Sequence, residues 1–353
     1  MPTSDPILAE RIARHGFATR PATDVMSAAA MVCGIQAQDP PASRLGVRSR
    51  SADVTDKDVV AAIEQRLVVR TWLMRNTIHL VPADDVRWMT ALLGPMIRRR
   101  FETVRWPELG LTADVLERAA AVAPAILAGG ALTRQEFAAA LGEHGVGIAQ
   151  DGQASTHALL YLSAVGLTCR GTDVGREARF VLVDDWIPQA ATGPRGDDAL
   201  AELARRFFAA FSPATPADFT TWSGLPSSRA ITLIRDELTE VDVHGRAGYR
   251  LGHPEPQRGL RMLAAFDNYL VGYKERAALI ADERRPEVYV GGVIRPTILL
   301  DGRVIGRWQL DRPKGRVQVV AFEQLNRPTR AAIDAEVADI GRFLAQDLSV
   351  ETE

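Results

Sequence analysis

From Leu67 to Val81 the sequence reads LVVRTWLMRNTIHLV. β-branched and apolar residues fill both halves, and Arg75 with Asn76 breaks them, which predicts a strand, a turn and a second strand. What precedes this stretch narrows the fold further. Asp5 to Phe17 predicts a short amphipathic helix. Thr23 or Asp24 caps a second helix that runs to about Ile35 and is ended by Pro40 and Pro41. Thr55 caps a third, TDKDVVAAIEQR. Three helices followed by a two-stranded wing is the outline of a winged helix. PADDVRWMTALLGPMIRRRF then predicts a helix with Pro82 near its start.

The same order returns twice. LTRQEFAAALGEHG carries a capping box, Thr133 with Glu136, QASTHALLYLSAVGL predicts a long helix, and RFVLVDDW a strand. DDALAELARRFFAAF, TPADFTTWSGLPSSRAITLIRDEL and EVDVHGRAGYRL predict helix, capped helix, helix, strand, turn and strand. After Arg261, LAAFDNYLVGY, RPTILLDGRVIGRWQL and GRVQVVAFEQL alternate around Asp-Gly and Gly turns and predict a small antiparallel sheet or barrel. A closing helix, PTRAAIDAEVADIGRFLAQDL, has Thr329 as its expected N-cap. The expected fold is α+β, with three tandem winged helices at 1–106, 107–196 and 197–255, and a sheet region with its closing helix at 256–353.

Of the 353 residues 46% are hydrophobic, enough for several cores. No apolar run reaches the length of a membrane span, and the N-terminus lacks the pattern of a secretion signal. Cys33 and Cys169 lie in no metal-ligand spacing and read as reduced core residues of a cytoplasmic protein. The formal net charge of −2 does not advertise a nucleic-acid partner, but its distribution differs. Ala61–Trp106 has eight arginines against four acids, and Val241–Val320 has fourteen basic residues against nine acids. Such stretches are either ordinary mixed surfaces or two basic faces suited to phosphates.

Residues 34–41 read GIQAQDPP. Gln36 and Gln38 have no charge to offer at any ordinary pH. Read alone they solvate a helix end. Read as chemistry they position a water, because a carboxamide oxygen accepts a hydrogen bond from it. Residues at i and i+2 do not share a helix face, so both enter one pocket only where the backbone leaves the helix. Asp39 is either a possible base or a turn residue before proline. The chain has three lysines, Lys57, Lys274 and Lys314, which leaves few amines for a Schiff-base mechanism.

QAQDP, RTWLMRNTIHLV, PADFTTWSGL, AAFDNYLVGYKER and VIRPTILLDGRVIGRW together resemble the AlkZ/YcaQ-like winged-helix DNA glycosylases. These five blocks run from Gln36 to Trp308, nearly the whole chain. The resemblance implies tandem winged helices forming a C-shaped cleft. It implies a monofunctional, monomeric enzyme that hydrolyses the N-glycosidic bond of N7-alkylated purines in duplex DNA. It also implies the unhooking of interstrand crosslinks, in repair or in self-resistance to DNA-alkylating antibiotics. No metal or cofactor is expected. The family motif is Gln-apolar-Gln or Gln-apolar-Asp, and Gln36-Ala37-Gln38 fits the first, with a water-positioning role. Arg70, Arg75, Thr77 and His79 in the wing are expected on DNA, with Arg75, Thr77 and His79 on one strand face, and a satisfied structural histidine is the alternative for His79. Tyr273, Lys274, Arg276 and Arg295 are expected on phosphates, and structural pairing is the alternative for each. Trp72 and Trp88 fit the core. Asp267 matches a family position without an assigned role. The competing reading of the whole chain is a non-catalytic winged-helix DNA-binding protein or regulator.

Overall fold

The computed structural model describes residues 5–149, 152–175, 177–187 and 193–352. The chain is mixed α+β and divides into two compact units, one of Ala62–Glu202 and one of the segments up to Ala61 and from Leu203 onward. Among the described residues no helix is long and apolar enough to cross a membrane.

The discontinuous unit opens with α1 (Pro6–Arg14), capped by the Asp5 carboxylate, and α2 (Val25–Met31), which carries an Asp24–Ser27 capping box. α2 stops four residues short of Ile35. Cys33 (φ 53°) and Gly34 (φ 97°) turn the chain through the left-handed region, where Gly is at home and Cys is not. The two-residue strand β1 (Ile35–Gln36) follows. The proline pair does not end α2. Pro40 and Pro41 occupy the first turn of a helix absent from the expectation, α3 (Pro40–Arg48), with Asp39 as its N-cap. Proline's fixed φ suits that position, and its missing N–H costs nothing there. α4 (Asp56–Glu64) is the helix expected after Thr55.

Three helices followed by a hairpin occur three times in chain order. α2, α3 and α4 precede β2 (Val68–Trp72) and β3 (Ile78–Pro82). Helices Ala113–Leu127, Arg134–Glu143 and Gly152–Ala164 precede strands Thr168–Arg170 and Arg179–Leu182. Helices Gly196–Phe211, Pro216–Ser223 and Ser227–Leu233 precede strands Leu238–Asp242 and Ala247–Leu251. The capping box at Thr133 and Glu136 is present, as is a second at Thr215 and Asp218. RFVLVDDW is strand only to Leu182; Val183–Trp186 is a single helical turn.

In the Ala62–Glu202 unit, β2 pairs antiparallel with β3, setting Thr71 opposite His79. β2 also meets the second hairpin, with Arg70 opposite Arg170. Arg75 and Asn76 form the turn, at φ 55° and 59°. Arg75 therefore lies outside strand alternation and does not belong to the face expected for it with Thr77 and His79. α5 (Ala83–Phe101) packs on helix Gly152–Ala164 at Gly94, where a Cβ would stand 2.0 Å from the Ala164 carbonyl oxygen.

The C-terminal region is a five-stranded sheet. Leu260–Leu263, Thr297–Leu300, Arg303–Asp311 and Arg316–Ala321 run antiparallel, and Ser349–Thr352 joins the edge in parallel after the closing helix. Asp301-Gly302 makes the expected tight turn with both residues at positive φ. Helix Arg327–Leu344 lays Ile333, Val337 and Ile340 on Met262, Ile298, Trp308, Val317 and Val319 of the sheet. Its N-cap is Asn326, whose carboxamide accepts from the Thr329 N–H; Thr329 is inside the helix. AAFDNYLVGY is not a strand. The sheet strand ends at Leu263, and Asn268–Val271 forms a helical turn capped by Asp267.

Candidate functional site

Gln36, Gln38 and Asp39 lie between α2 and α3 on backbone that has left the helix, as the i, i+2 argument requires. Gln36 is 6% exposed, Ala37 is fully buried, and Gln38 and Asp39 reach the surface. The Asp39 carboxylate accepts from the Ala42 N–H at 3.1 Å, so it caps α3. α3 itself lies close against β1: a Cβ on Gly46 would come within 3.0 Å of the Ile35 side chain.

The backbone of the motif is gripped by a residue 232 positions away. The Asn268 carboxamide oxygen accepts from the Gln36 N–H at 3.2 Å. Its nitrogen donates to the Gly34 carbonyl at 2.8 Å and reaches the Val32 carbonyl at 3.5 Å. Asn268 is fully buried. Its neighbour Asp267 makes a two-pronged ion pair with Arg50, at 2.9 and 3.0 Å, with both side chains inaccessible to solvent. Arg50 also donates to the Gly46 carbonyl at 2.8 Å and Ser49 Oγ at 3.0 Å, and lies 3.3 Å from His15 Nδ1. Burial, reinforced by Arg50 and Arg11, holds His15 far below its ordinary pKa. His15 is therefore neutral, with Nδ1 as acceptor. Arg48, two residues earlier on α3, pairs with Glu336 at 2.7 Å and with Asp339 at 3.3 Å. The blocks QAQDP and AAFDNY, so far apart in sequence, thus form one cluster. Sequence reasoning missed Asn268, Arg50, Arg48 and His15. The available signal was a pair of polar residues, Asp267 and Asn268, inside an apolar stretch.

The expected DNA-contact residues fall into two groups. Arg70 is buried and gives its guanidinium to Asp173 at 2.6 and 2.9 Å and to the Gly171 carbonyl at 2.8 Å. His79 is fully buried beside the Thr77 carbonyl, at 3.0 Å, and burial pushes its pKa down to about 3. Tyr273 is fully buried, donates to the Phe211 carbonyl at 3.1 Å and lies under the Arg11 guanidinium at 3.7 Å. These three have internal partners. Arg75 and Thr77 sit half-buried at the wing turn, where the Thr77 hydroxyl donates to the Met74 carbonyl at 3.0 Å. Lys274 and Arg295 are exposed, and Arg276 lies 4.4 Å over the Tyr289 ring. Trp72 and Trp88 are core residues as expected, and the Trp88 indole donates to Asp85 at 2.8 Å.

Among the described residues no group of three or more His, Cys, Asp or Glu is placed to hold a metal ion. Cys33 and Cys169 are buried and reduced. What the motif offers is two neutral carboxamides on a pinned, non-helical segment beside an aspartate engaged in capping. Such groups orient a water and face positive charge with their dipoles, and they do not titrate.

The family model of AlkZ-like DNA glycosylases matches residues 29–343. The interstrand DNA cross-link repair glycosylase of Streptomyces sahachiroi is 27% identical, with 95% of each chain covered. The solved structure of the Streptomyces sahachiroi DNA glycosylase AlkZ matches with a TM-score of 0.82 at 26% identity, covering 98% of both chains.

Proposed function

This chain belongs to the AlkZ-like DNA glycosylases, hydrolases of the N-glycosyl bond in DNA, and we propose that Gln36 and Gln38 do its chemistry on N7-alkylated purines in duplex DNA. An N7-alkylguanine already carries positive charge and departs as a neutral base, so little protonation of the leaving group is needed. What the enzyme must supply is a held water below C1′ and a negative potential facing the oxocarbenium-like sugar. Carboxamide oxygens do both without a charge of their own. The observation that carries this reading is the segment's geometry. Both glutamines stand on non-helical backbone, Asn268 holds that of Gln36, and the adjacent carboxylate of Asp39 is committed to the α3 N-terminus.

The named activity of the Streptomyces sahachiroi relative extends the proposal to purines held in interstrand crosslinks. Arg75 and Thr77 at the wing turn, and Lys274, Arg276 and Arg295, are the proposed backbone contacts, since they reach the surface whereas Arg70, His79 and Tyr273 are buried. The test is incubation with duplex DNA bearing N7-methylguanine, followed by alkaline heating to break the chain at abasic sites. Wild type gives strand breaks, and the Gln36→Ala, Gln38→Ala double variant gives none. Tight binding by wild type without base release would favour the non-catalytic DNA-binding reading.

A further inference from the structure

One side chain, Asn268, grips the backbone of the motif at two points. The Asn268 carboxamide oxygen accepts from the Gln36 N–H at 3.2 Å, while its NH2 group donates to the Gly34 carbonyl at 2.8 Å and reaches the Val32 carbonyl at 3.5 Å, all on the same short segment. One carboxamide therefore ties both ends of the tripeptide from Gly34 to Gln36. This is the segment that leaves the left-handed turn at Cys33 and Gly34, so its course is not set by regular helix geometry. Asn268 is itself held. Its preceding residue, Asp267, is locked by Arg50, and the Asp267 carboxylate also accepts from the Tyr269 N–H at 3.0 Å. The charged groups beside it, Arg50 and Asp267, thus satisfy each other, and neutral His15 completes the surround.

We infer that Asn268 is a positioning residue for the glycosylase reaction, setting the backbone of Gln36 and through it the place of the water. The inference rests on the reading of Gln36 and Gln38 as the reacting pair. Without the carboxamide, the Gln36 N–H and the Gly34 carbonyl lose these bonds, and the segment shifts. A displacement of about 1 Å at a reacting group costs about 10²-fold in rate. A residue that merely stabilised the fold would lower melting temperature and leave the rate of the folded enzyme alone.

The chemistry of the side chain supplies a specific test. In Asn268→Asp, the protonated carboxyl is a near copy of the carboxamide, with a C=O to accept from Gln36 and an O–H to donate to Gly34. The carboxylate form has no donor and faces the Gly34 and Val32 carbonyls. Burial raises the pKa of the introduced carboxyl. Single-turnover base release from an N7-methylguanine duplex is measured for wild type, Asn268→Asp, Asn268→Ala and the Gln36→Ala, Gln38→Ala double variant. Rates are taken between pH 5 and 8, corrected for spontaneous loss and for the folded fraction at each pH. Asn268→Ala should be about 10²-fold slower at every pH with duplex affinity unchanged. Asn268→Asp should approach wild type at acid pH and lose rate as pH rises. If Asn268→Ala does not fold, Asn268→Asp at acid pH carries the test alone. A folded Asn268→Ala with the wild-type rate, or an Asn268→Asp that keeps the wild-type rate above the pH at which its introduced carboxyl titrates, overturns the inference while the glutamine reading stands. Activity in the double glutamine variant overturns the reading itself.

Discussion

Replacing Asp267 by alanine removes one half of an ion pair whose two side chains have no solvent contact. Arg50 would keep its bonds to Gly46 and Ser49 and its contact with His15, all neutral, and would remain as an uncompensated buried cation. Breaking a buried pair from one side costs about 3–5 kcal/mol. The lost cap on the Tyr269 N–H adds about 1 kcal/mol. For a unit of this size each kcal/mol moves the midpoint by about 2–4 °C, so Asp267→Ala should melt about 8–24 °C below wild type. Thermal unfolding followed by circular dichroism reads this directly. The double variant Arg50→Met, Asp267→Leu should be less destabilised than the sum of its single changes, because neither leaves a charge behind. Less than about 2 °C lost in Asp267→Ala, or strict additivity in the cycle, would refute the assignment of this pair as the bolt between the end of α3 and the Asp267–Val271 turn.

Asp39→Asn retains a capping side chain and removes the charge, so base release should keep the wild-type single-turnover rate, with a midpoint shift of no more than about 1 kcal/mol equivalent. His79 binds its proton near pH 6.5 when unfolded and only near pH 3 when folded. The unfolded chain thus holds more protons within that window. Stability should fall as pH drops below about 6.5, by up to about 1.4 kcal/mol per pH unit from this group. His79→Asn should flatten that slope in melting temperature measured from pH 6.5 to 5. Borohydride should trap no covalent adduct on abasic DNA, since the chain has three lysines and the proposed chemistry uses none.

Much of the fold was legible because its signals are local. The β-branched run around Arg75 and Asn76, the Thr133–Glu136 box and the Asp301-Gly302 turn each fix structure within a few residues, and each formed as expected. α3 escapes the sequence because a proline pair reads as a terminator, while proline's fixed φ suits the first turn of a helix equally well. The departure of Gln36 and Gln38 from helical backbone is the condition their spacing sets for a shared pocket, and the segment meets it. The clamp is not legible in this way. Asn268 meets Gln36 across 232 residues and Arg50 meets Asp267 across 217, and no periodicity encodes such a pairing. Buried arginines escape sequence reading for the same reason, since Arg70 looks like a phosphate ligand until Asp173 is placed beside it.

The central claim is that two neutral carboxamides, and no carboxylate, hold the reacting water. It is tested most directly by the pH dependence of single-turnover base release by the wild-type enzyme from mild acid to neutrality, with spontaneous loss subtracted. A flat profile is the predicted result. A shoulder in the carboxylate range would contradict it and move the role of base to Asp39.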